Sequence, residues 1–143
     1  MAVKGFAAFL TAALLAGAAY AQTVVGDPVR GGQQFQQRCS ICHNADKGGK
    51  NGIGPALYGA YGRAAGQAPA YSYSDAIKAS GMVWTPDKLD LWVQKPSGLI
   101  PGVKMVVPPV SNPQDRADLI AYLKSQSDTP EPKAGKKSKK HDG

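Results

Sequence analysis

The sequence has few of the side chains from which metal sites and hydrolytic active sites are built. Its 143 residues include two cysteines, Cys39 and Cys42, two histidines, His43 and His141, and one glutamate, Glu131. A structural zinc site needs four ligands, mostly cysteine and histidine, and His141 is distant in sequence from the other three, which argues against zinc. The only other histidine and the only glutamate both lie close to the C-terminal end, which argues against hydrolytic catalysis.

Long apolar runs are also scarce, because the only one lies in the first 21 residues. Lys4 precedes the apolar residues 6–16, and residues 19–21 read Ala-Tyr-Ala, the small-x-small pattern that signal peptidase recognises. We therefore predict a signal peptide, residues 1–21, that is cleaved after Ala21. An uncleaved membrane anchor is the alternative, and the shortness of the run disfavours it. In both cases the rest of the chain is exported.

Positive charge is concentrated near the C-terminal end of the chain. The formal net charge is +7. Residues 22–128 carry 11 basic and 8 acidic side chains, whereas residues 129–143 carry 5 basic and 2 acidic ones. The last segment has no apolar periodicity, so we predict one domain at 22–128 and a disordered, solvated, lysine-rich tail at 129–143. Contact of this tail with acidic lipid or an acidic partner is the alternative.

Helix start signals occur at four places, and no segment alternates polar and apolar residues as a strand would. Three of them combine an N-cap residue with proline at the first helical position: Asp27-Pro28, Thr85-Pro86 and Asn112-Pro113. Ser74 can cap a shorter helix that stops near Gly81. The helix after Thr85 should end near Lys95, because a proline follows. The sequence thus predicts an all-α protein with four main helices.

Two long segments rich in glycine and proline, residues 44–73 and 97–111, connect the predicted helices. Loops of this length are unusual in a compact domain unless they enclose something. The apolar side chains are also few for a chain with so much loop. Both features indicate a large apolar body that the sequence does not encode.

The motif Cys39-Ser-Ile-Cys42-His43 places both thiols of the chain within four residues. A disulfide between them would fit an oxidising compartment. A thiol oxidoreductase would place the pair at a helix N-terminus to lower a thiolate pKa, but here the motif follows about three predicted helical turns. The third interpretation is covalent haem attachment, the recognised meaning of C-x-x-C-H. Gly31, Phe35 and both cysteines recur at helical spacing, so we expect two thioether bonds from one helix face, with His43 as an iron ligand.

The second axial ligand of such an iron decides between electron transfer and chemistry at an open site. Met1 is lost with the signal peptide, and His141 lies in the predicted tail. Met82 lies in a stretch that is typical of a pocket wall. Met105 lies in the loop "IPGVKMVVPP", whose prolines and glycine can hold it against the ring, so Met105 is the predicted ligand. A thioether ligand and a buried haem both favour ferrous iron, so the reduction potential should be positive.

The chain resembles the class I cytochromes c, especially the mitochondrial type and its bacterial periplasmic relatives. The resemblance extends over residues 26–126 and depends on blocks in the family's order and spacing: "GDPVRGGQQFQQRCSICH", "GIGPALYGAYGRAAGQAPAYSYSDA", Trp84, "IPGVKM" and "DRADLIAYL". It implies an all-α fold whose long loops wrap around one covalent haem c. It also implies that the first and last helices cross around Gly31, Phe35, Leu119 and Tyr122.

The resemblance further implies roles for residues around the haem. The carbonyl group of Pro55 should accept a hydrogen bond from the other ring nitrogen of His43, which fixes the tautomer. Arg63, Tyr73 and Trp84 match the residues that neutralise or hydrogen-bond the haem propionates.

Several residues depart from the family pattern. Ile77 replaces a buried asparagine, Trp92 a tyrosine near the methionine, and Val103 a threonine, which implies a drier pocket with weaker hydrogen bonding around the methionine. Ser97 and Gly98 replace two lysines of the family's docking patch. The remaining candidate docking cations are Arg38, Lys47, Lys50 and Lys104.

These features together predict a soluble periplasmic one-electron carrier with one haem c ligated by His43 and Met105. The resemblance implies redox proteins as partners, such as a membrane oxidase, a photosynthetic reaction centre or a periplasmic dehydrogenase. It implies no enzyme activity, no nucleic-acid partner and no small-molecule substrate, and we expect a monomer. Two alternatives remain: a haem enzyme or gas sensor in which Met105 is displaced, and a haem-free thiol–disulfide exchanger.

Overall fold

The computed structural model of the protein describes residues 24–128. The predicted signal peptide, residues 1–21, and the predicted tail, residues 129–143, lie outside the described residues. Within residues 24–128 the chain is helical and forms no β-strand, and no helix there is long and apolar enough to cross a membrane. The helices are α1 (Pro28–Arg38), α2 (Asp75–Ala79), α3 (Pro86–Gln94), α4 (Pro96–Leu99) and α5 (Pro113–Ser125).

The four predicted helix starts are confirmed, each with a capping side chain. The Asp27 carboxylate accepts hydrogen bonds from the backbone N–H groups of Val29 and Arg30. The Ser74, Thr85 and Asn112 side chains cap α2, α3 and α5 in the same way. Each cap satisfies a backbone donor that the first helical turn leaves unpaired.

Two boundary predictions were wrong. The first helix ends at Arg38, so Cys39 and Cys42 do not lie on its face but in the turns that follow it. The N–H groups of Cys39 and Ser40 both donate to the Phe35 carbonyl, which shows where the regular helical pairing breaks. The segment predicted as loop after Lys95 instead begins with the four-residue helix α4, a length at which no apolar periodicity is visible.

Helices α1 and α5 cross in direct contact, as the resemblance implies. A β-carbon at Gly31 would overlap the carbonyl group of Asp118, and one at Gly26 would overlap that of Ala117. Glycine at both positions therefore lets the backbones approach to a distance that a larger side chain prevents. The rings of Phe35 and Tyr122 pack beside the crossing with their centroids 5.2 Å apart.

A buried carboxylate fastens this crossing. Asp118 is 1% exposed and accepts hydrogen bonds from the Asp27 N–H (2.7 Å), the Arg30 guanidinium (2.8 and 3.0 Å) and the Gln114 amide (2.9 Å). The hydrogen bond from Arg30 is the largest of the effects that lower the pKa of Asp118 to about 2. The carboxylate thus joins the start of α1 to the middle of α5 as a satisfied, ionised group.

We expect Asp118→Asn to remove a part of the stability that depends on pH. A carboxyl group whose pKa is lower in the folded state stabilises the protein above its unfolded-state pKa, and the contribution disappears as the pH falls through the folded-state value. Folding lowers the pKa of Asp118 from 3.8 to about 2, and solvent partly screens its half-exposed partner Arg30. The stabilisation by the carboxylate is therefore on the order of 1–2 kcal/mol at neutral pH. Chemical denaturation followed by circular dichroism at pH 7 and pH 2 measures it.

Asp87→Asn is the matched control for this prediction. Asp87 is an exposed carboxylate in the first turn of α3, with no ion pair among residues 24–128. The difference between wild type and Asp118→Asn should shrink from pH 7 to pH 2, whereas Asp87→Asn should change little. An Asp118→Asn deficit that is equal at both pH values would show that the carboxylate charge is not its source.

The buried side chains form two clusters rather than one continuous core. The first lies around the α1–α5 crossing and contains Phe35, Ala45, Tyr61, Leu89, Val110, Leu119 and Leu123. The second, smaller cluster contains Ala65, Ile77 and Ile100. Among the partly buried side chains of residues 24–128 that pack against these clusters, only Trp84 touches both. A core that is divided in this way fits the expectation of an apolar body supplied from outside the chain.

Candidate haem site

The cysteine motif occupies two consecutive turns at the end of α1. The N–H groups of Cys42 and His43 both donate to the carbonyl group of Cys39, at 3.0 and 2.9 Å. Both thiols are free and partly buried, and Cys39 packs against the first cluster. Burial raises the pKa of the Cys39 thiol, and the charge of Arg38 offsets only part of this effect.

The imidazole of His43 lies against the segment that contains Gly54 and Pro55. Its Nδ1 lies 2.8 Å from the carbonyl oxygen of Pro55. A carbonyl oxygen only accepts, so the proton is on Nδ1 and the lone pair is on Nε2. Gly54 also approaches the ring closely, because a β-carbon there would be 2.6 Å from Nδ1. Burial lowers the pKa of His43, with the hydrogen bond to Pro55 opposing, so the ring is a neutral base at physiological pH.

The three residues matched to propionate binding lie close to one another. The N–H of Trp84 donates to the carbonyl group of Arg63 at 2.9 Å, within a short antiparallel contact between the 62–65 and 82–84 segments. Tyr73 packs against the second cluster together with Trp84. Burial raises the pKa of Tyr73, while the Ala68 N–H and the positive charge of Arg63 act in the opposite direction.

The two candidate methionines lie in different environments. Met105 is half buried and lines a groove of about 330 Å³ with residues that include Val103 and Val107. It belongs to neither buried cluster among residues 24–128. Met82 instead packs against the second cluster, and its carbonyl group accepts a hydrogen bond from Ala65 at 2.7 Å. Met82 also lines a groove, of about 530 Å³, so the grooves do not distinguish the two side chains. What distinguishes them is that Met82 packs against a buried cluster and Met105 does not.

Three of the residues that depart from the family pattern form an apolar group in the second cluster. Ile77 is buried there, and Trp92 and Val103 pack against it. The Trp92 ring meets the Trp84 ring edge to face, with centroids 4.9 Å apart. The part of the protein that lies around Trp84 is therefore lined mainly by hydrocarbon and indole surface.

One buried polar atom shows that the residues present fit a haem. The Nε of Arg63 is buried and has no hydrogen-bond partner among residues 24–128, although Nη1 of the same guanidinium donates to the Tyr58 carbonyl at 3.3 Å. An unpaired buried donor is costly, and a carboxylate would satisfy it. Together with the two free thiols, the oriented imidazole and the divided core, it fits an apolar cofactor that carries acidic groups.

Sequence analysis did not identify four residues that support this site. Gly54 lies against the His43 ring, Asn51 and Tyr71 join two loops beside it, and Asp118 fastens the helices that carry the motif. The block "GIGP" contains a usable signal for Gly54, because a glycine before a functional proline often marks a close approach of backbone. The other three are polar residues of ordinary appearance whose partners are distant in sequence.

The fold and the site define a small helical protein with a covalently attached haem. The cytochrome c family model matches residues 28–127. Cytochrome c2 of Rhodopila globiformis is 48% identical over 100 residues, which is 70% of this chain and 93% of that protein. Cytochrome c of Theileria annulata is 48% identical over 102 residues, which is 71% of this chain and 88% of that protein.

A solved structure agrees with the sequence relatives. Cytochrome cH from Methylobacterium extorquens matches with a TM-score of 0.65 and 44% identity, over 70% of this chain and 99% of that one. The chain belongs to the cytochrome c family, in its class I form. It is a haem-containing electron carrier with one covalent haem c, and Cys39 and Cys42 have the spacing of the attachment motif.

Proposed function

We propose that this protein is a soluble periplasmic one-electron carrier that moves electrons between respiratory or photosynthetic redox proteins, with His43 and Met105 as axial ligands. The observation that carries the proposal is the orientation of His43. Its Nδ1 proton is bound by the Pro55 carbonyl at 2.8 Å, which leaves Nε2 as the only nitrogen available to a metal. The haem iron supplies a couple between the ferric and ferrous states.

The surrounding residues have separate tasks in this proposal. Pro55 fixes the tautomer of His43 and raises its basicity. Arg63, Tyr73 and Trp84 hold the propionates, and the unpaired Nε of Arg63 is the donor that a propionate would satisfy. Met105 provides the thioether from its groove.

The export and the partners of the protein are also part of the proposal. The leader-like residues 1–21 support passage into the periplasm, with residues 22–128 as the mature domain and 129–143 as a solvated tail. The relatives named cytochrome c2 and cytochrome cH support bacterial redox proteins as partners. We propose that the carrier acts as a monomer in short-lived complexes.

The raised pKa of Cys39 counts against the alternative of a thiol–disulfide exchanger. Such an enzyme needs a thiolate at neutral pH and therefore a lowered pKa. Burial does the opposite at Cys39. Cys42 also follows α1 rather than preceding a helix, so no helix N-terminus stabilises a thiolate there.

Ion pairs within the chain distinguish among the four candidate cations that could orient a partner. Arg38 pairs with Asp115 at 3.8 Å, and Lys47 pairs with Asp128 at 2.8 Å, so part of their charge is neutralised within the chain. Lys50 and Lys104 are exposed, and neither forms an ion pair among residues 24–128. We therefore assign the steering role mainly to Lys50 and Lys104. Lys104 precedes the proposed ligand Met105, and its Nζ donates to the Ser72 carbonyl at 3.3 Å.

We expect Lys104→Glu to alter electron exchange according to the charge of the reagent. The ferrous protein should reduce the anionic oxidant ferricyanide about two- to fivefold more slowly at low ionic strength, and a cationic cobalt phenanthroline complex correspondingly faster. Both effects should fade with added salt, because charges are screened beyond about 8 Å at physiological ionic strength. Stopped-flow absorbance across a salt series measures both rates.

Two further variants control this experiment. Lys124→Glu makes the same change of charge at the end of α5, where the ammonium lies over the Tyr61 ring, and should have a smaller effect. Deletion of residues 129–143 should lower the ferricyanide rate slightly at low salt only. Failure of the wild type to exchange one electron per haem reversibly would contradict the proposed function. A larger effect of the deletion at physiological salt would instead make the tail a binding element.

A further inference from the structure

Two loops beside His43 are joined by side-chain hydrogen bonds. The Asn51 amide nitrogen donates to the Pro69 carbonyl at 2.8 Å, and the Asn51 amide oxygen accepts from the Ala56 N–H at 2.8 Å. The Tyr71 hydroxyl donates to the Ile53 carbonyl at 2.9 Å. Segment 51–56 is thereby held to segment 67–73 at two points.

Both points, Asn51 and Ile53, precede Pro55, the residue that orients the imidazole, and the Asn51 side chain also binds the residue that follows Pro55. Pro55, whose carbonyl accepts from His43, stands between Ile53, which Tyr71 holds, and Ala56, which Asn51 holds. The direction of a carbonyl group follows from the peptide planes around it, and these planes are fixed when neighbouring backbone groups are bound. Loosening either point therefore frees the Pro55 carbonyl to turn away from His43.

The second loop contains a strained residue between its two contacts. Ala70 has φ +57°, and it is the only residue other than glycine with positive φ among residues 24–128. This conformation costs a residue with a β-carbon about 1–2 kcal/mol. Ala70 stands between Pro69 and Tyr71, the two residues of this loop that form the contacts. Strain of this kind persists only where neighbouring interactions impose it.

The same loop extends to the predicted propionate side. The Tyr71 and Tyr73 rings meet edge to face, with centroids 4.8 Å apart. The Tyr73 oxygen accepts from the Ala68 N–H at 3.1 Å. Tyr71 thus touches both the loop that orients His43 and the residue matched to propionate binding.

We propose that Tyr71 is a positioning residue for the axial histidine, acting through a latch formed by its hydroxyl and the Ile53 carbonyl. The latch holds segment 51–56 so that Pro55 binds the Nδ1 proton of His43, and it maintains Ala70 in its strained conformation. This inference depends on the proposed function in one respect, the role of His43 as iron ligand.

The test compares Tyr71→Phe with wild type in the holoprotein, by hydrogen exchange at single sites. The variant keeps the ring and removes one hydrogen bond, so the segment should open about fivefold more often. The Ala56 amide and the His43 Nδ1 proton should exchange faster by that factor, while amides of α5 should not change. The reduction potential should shift upward, because an imidazole with a weaker Nδ1 hydrogen bond is a poorer donor.

Two other variants separate the latch from general destabilisation. Tyr122→Phe removes a hydroxyl that has no hydrogen-bond partner among residues 24–128 and should leave all these rates unchanged. Ala70→Gly relieves the strain and should slow exchange at Ala56 about twofold. In the double variant with Tyr71→Phe and Ala70→Gly, the exchange rate of the Ala56 amide should return toward the wild-type value.

The outcomes distinguish this inference from the proposed function. Unchanged exchange at Ala56 and His43 in Tyr71→Phe, or an equal acceleration of every amide including those of α5, would overturn the latch. A wild-type protein whose spectra show no histidine ligation would instead overturn the proposed function.

Discussion

Replacing either attachment cysteine, as Cys39→Ala or Cys42→Ala, should reduce the yield of folded holoprotein by about tenfold or more. The physical reason is the divided core, in which Trp84 is the one partly buried side chain of the described part of the chain that packs against both clusters. Segment 44–73 contains no helix, and the only helical residues of segment 97–111 belong to the four-residue helix α4. These loops therefore depend on the cofactor for much of the apolar contact that orders them. With one cysteine replaced, a single thioether bond, ligation and packing would have to hold the haem.

The measurement combines acid–organic extraction of the haem with circular dichroism of the purified variants. Wild-type protein should retain its haem through extraction, whereas the single-cysteine variants should show weak helical signal and little bound haem. Ser40→Ala is the matched control in the same turn, since its hydroxyl only donates to the Gln36 carbonyl at 2.6 Å, and its yield should be close to wild type. Release of haem from denatured wild type would refute covalent attachment.

The second large effect is expected for Met105→Ala. Loss of the thioether should abolish the absorption band of the sulfur–iron bond and open the iron to external ligands such as azide. The reduction potential should fall by roughly 0.1 V or more, within the ~0.8 V that axial ligands span, because water or hydroxide favours ferric iron.

Met82→Ala is the control, because the two methionines differ in what they contact. Met82 packs against the second cluster, so its truncation should lower the free energy of unfolding by about 2 kcal/mol and leave the sulfur–iron band intact. Visible spectra, voltammetry and chemical denaturation of both variants make the comparison. Retention of the band in Met105→Ala together with its loss in Met82→Ala would exchange the two assignments.

Local signals in the sequence were sufficient to predict most of the fold. The cap-and-proline pairs at Asp27, Thr85 and Asn112 determine where helices begin, since a side-chain acceptor and a fixed φ act within one turn. The C-terminal end of α1 was predicted wrongly, because no signal within a single turn determines it. Apolar spacing continues through Cys39, but the backbone leaves the helix at Arg38.

The site was predictable to the extent that its chemistry is contiguous in sequence. The Cys39–His43 motif predicts haem attachment from its own residues, and the role of Pro55 was implied by the resemblance. The contacts of Asp118 with Asp27 and of Tyr71 with Ile53 could not be predicted, because each joins residues that only the folded chain brings together. A buried aspartate and a surface aspartate look alike until the donors around them are known.

The long-range contact between Asp27 and Asp118 has a consequence for the order in which the chain is completed. Bringing together groups 91 residues apart costs chain entropy on the order of 4 kcal/mol. It can happen only after α5 has been synthesised. Cys39 packs against the cluster to which Leu119 and Leu123 of α5 belong. Until α5 packs, the Cys39 side chain therefore lacks the part of its cover that Leu119 and Leu123 help to form.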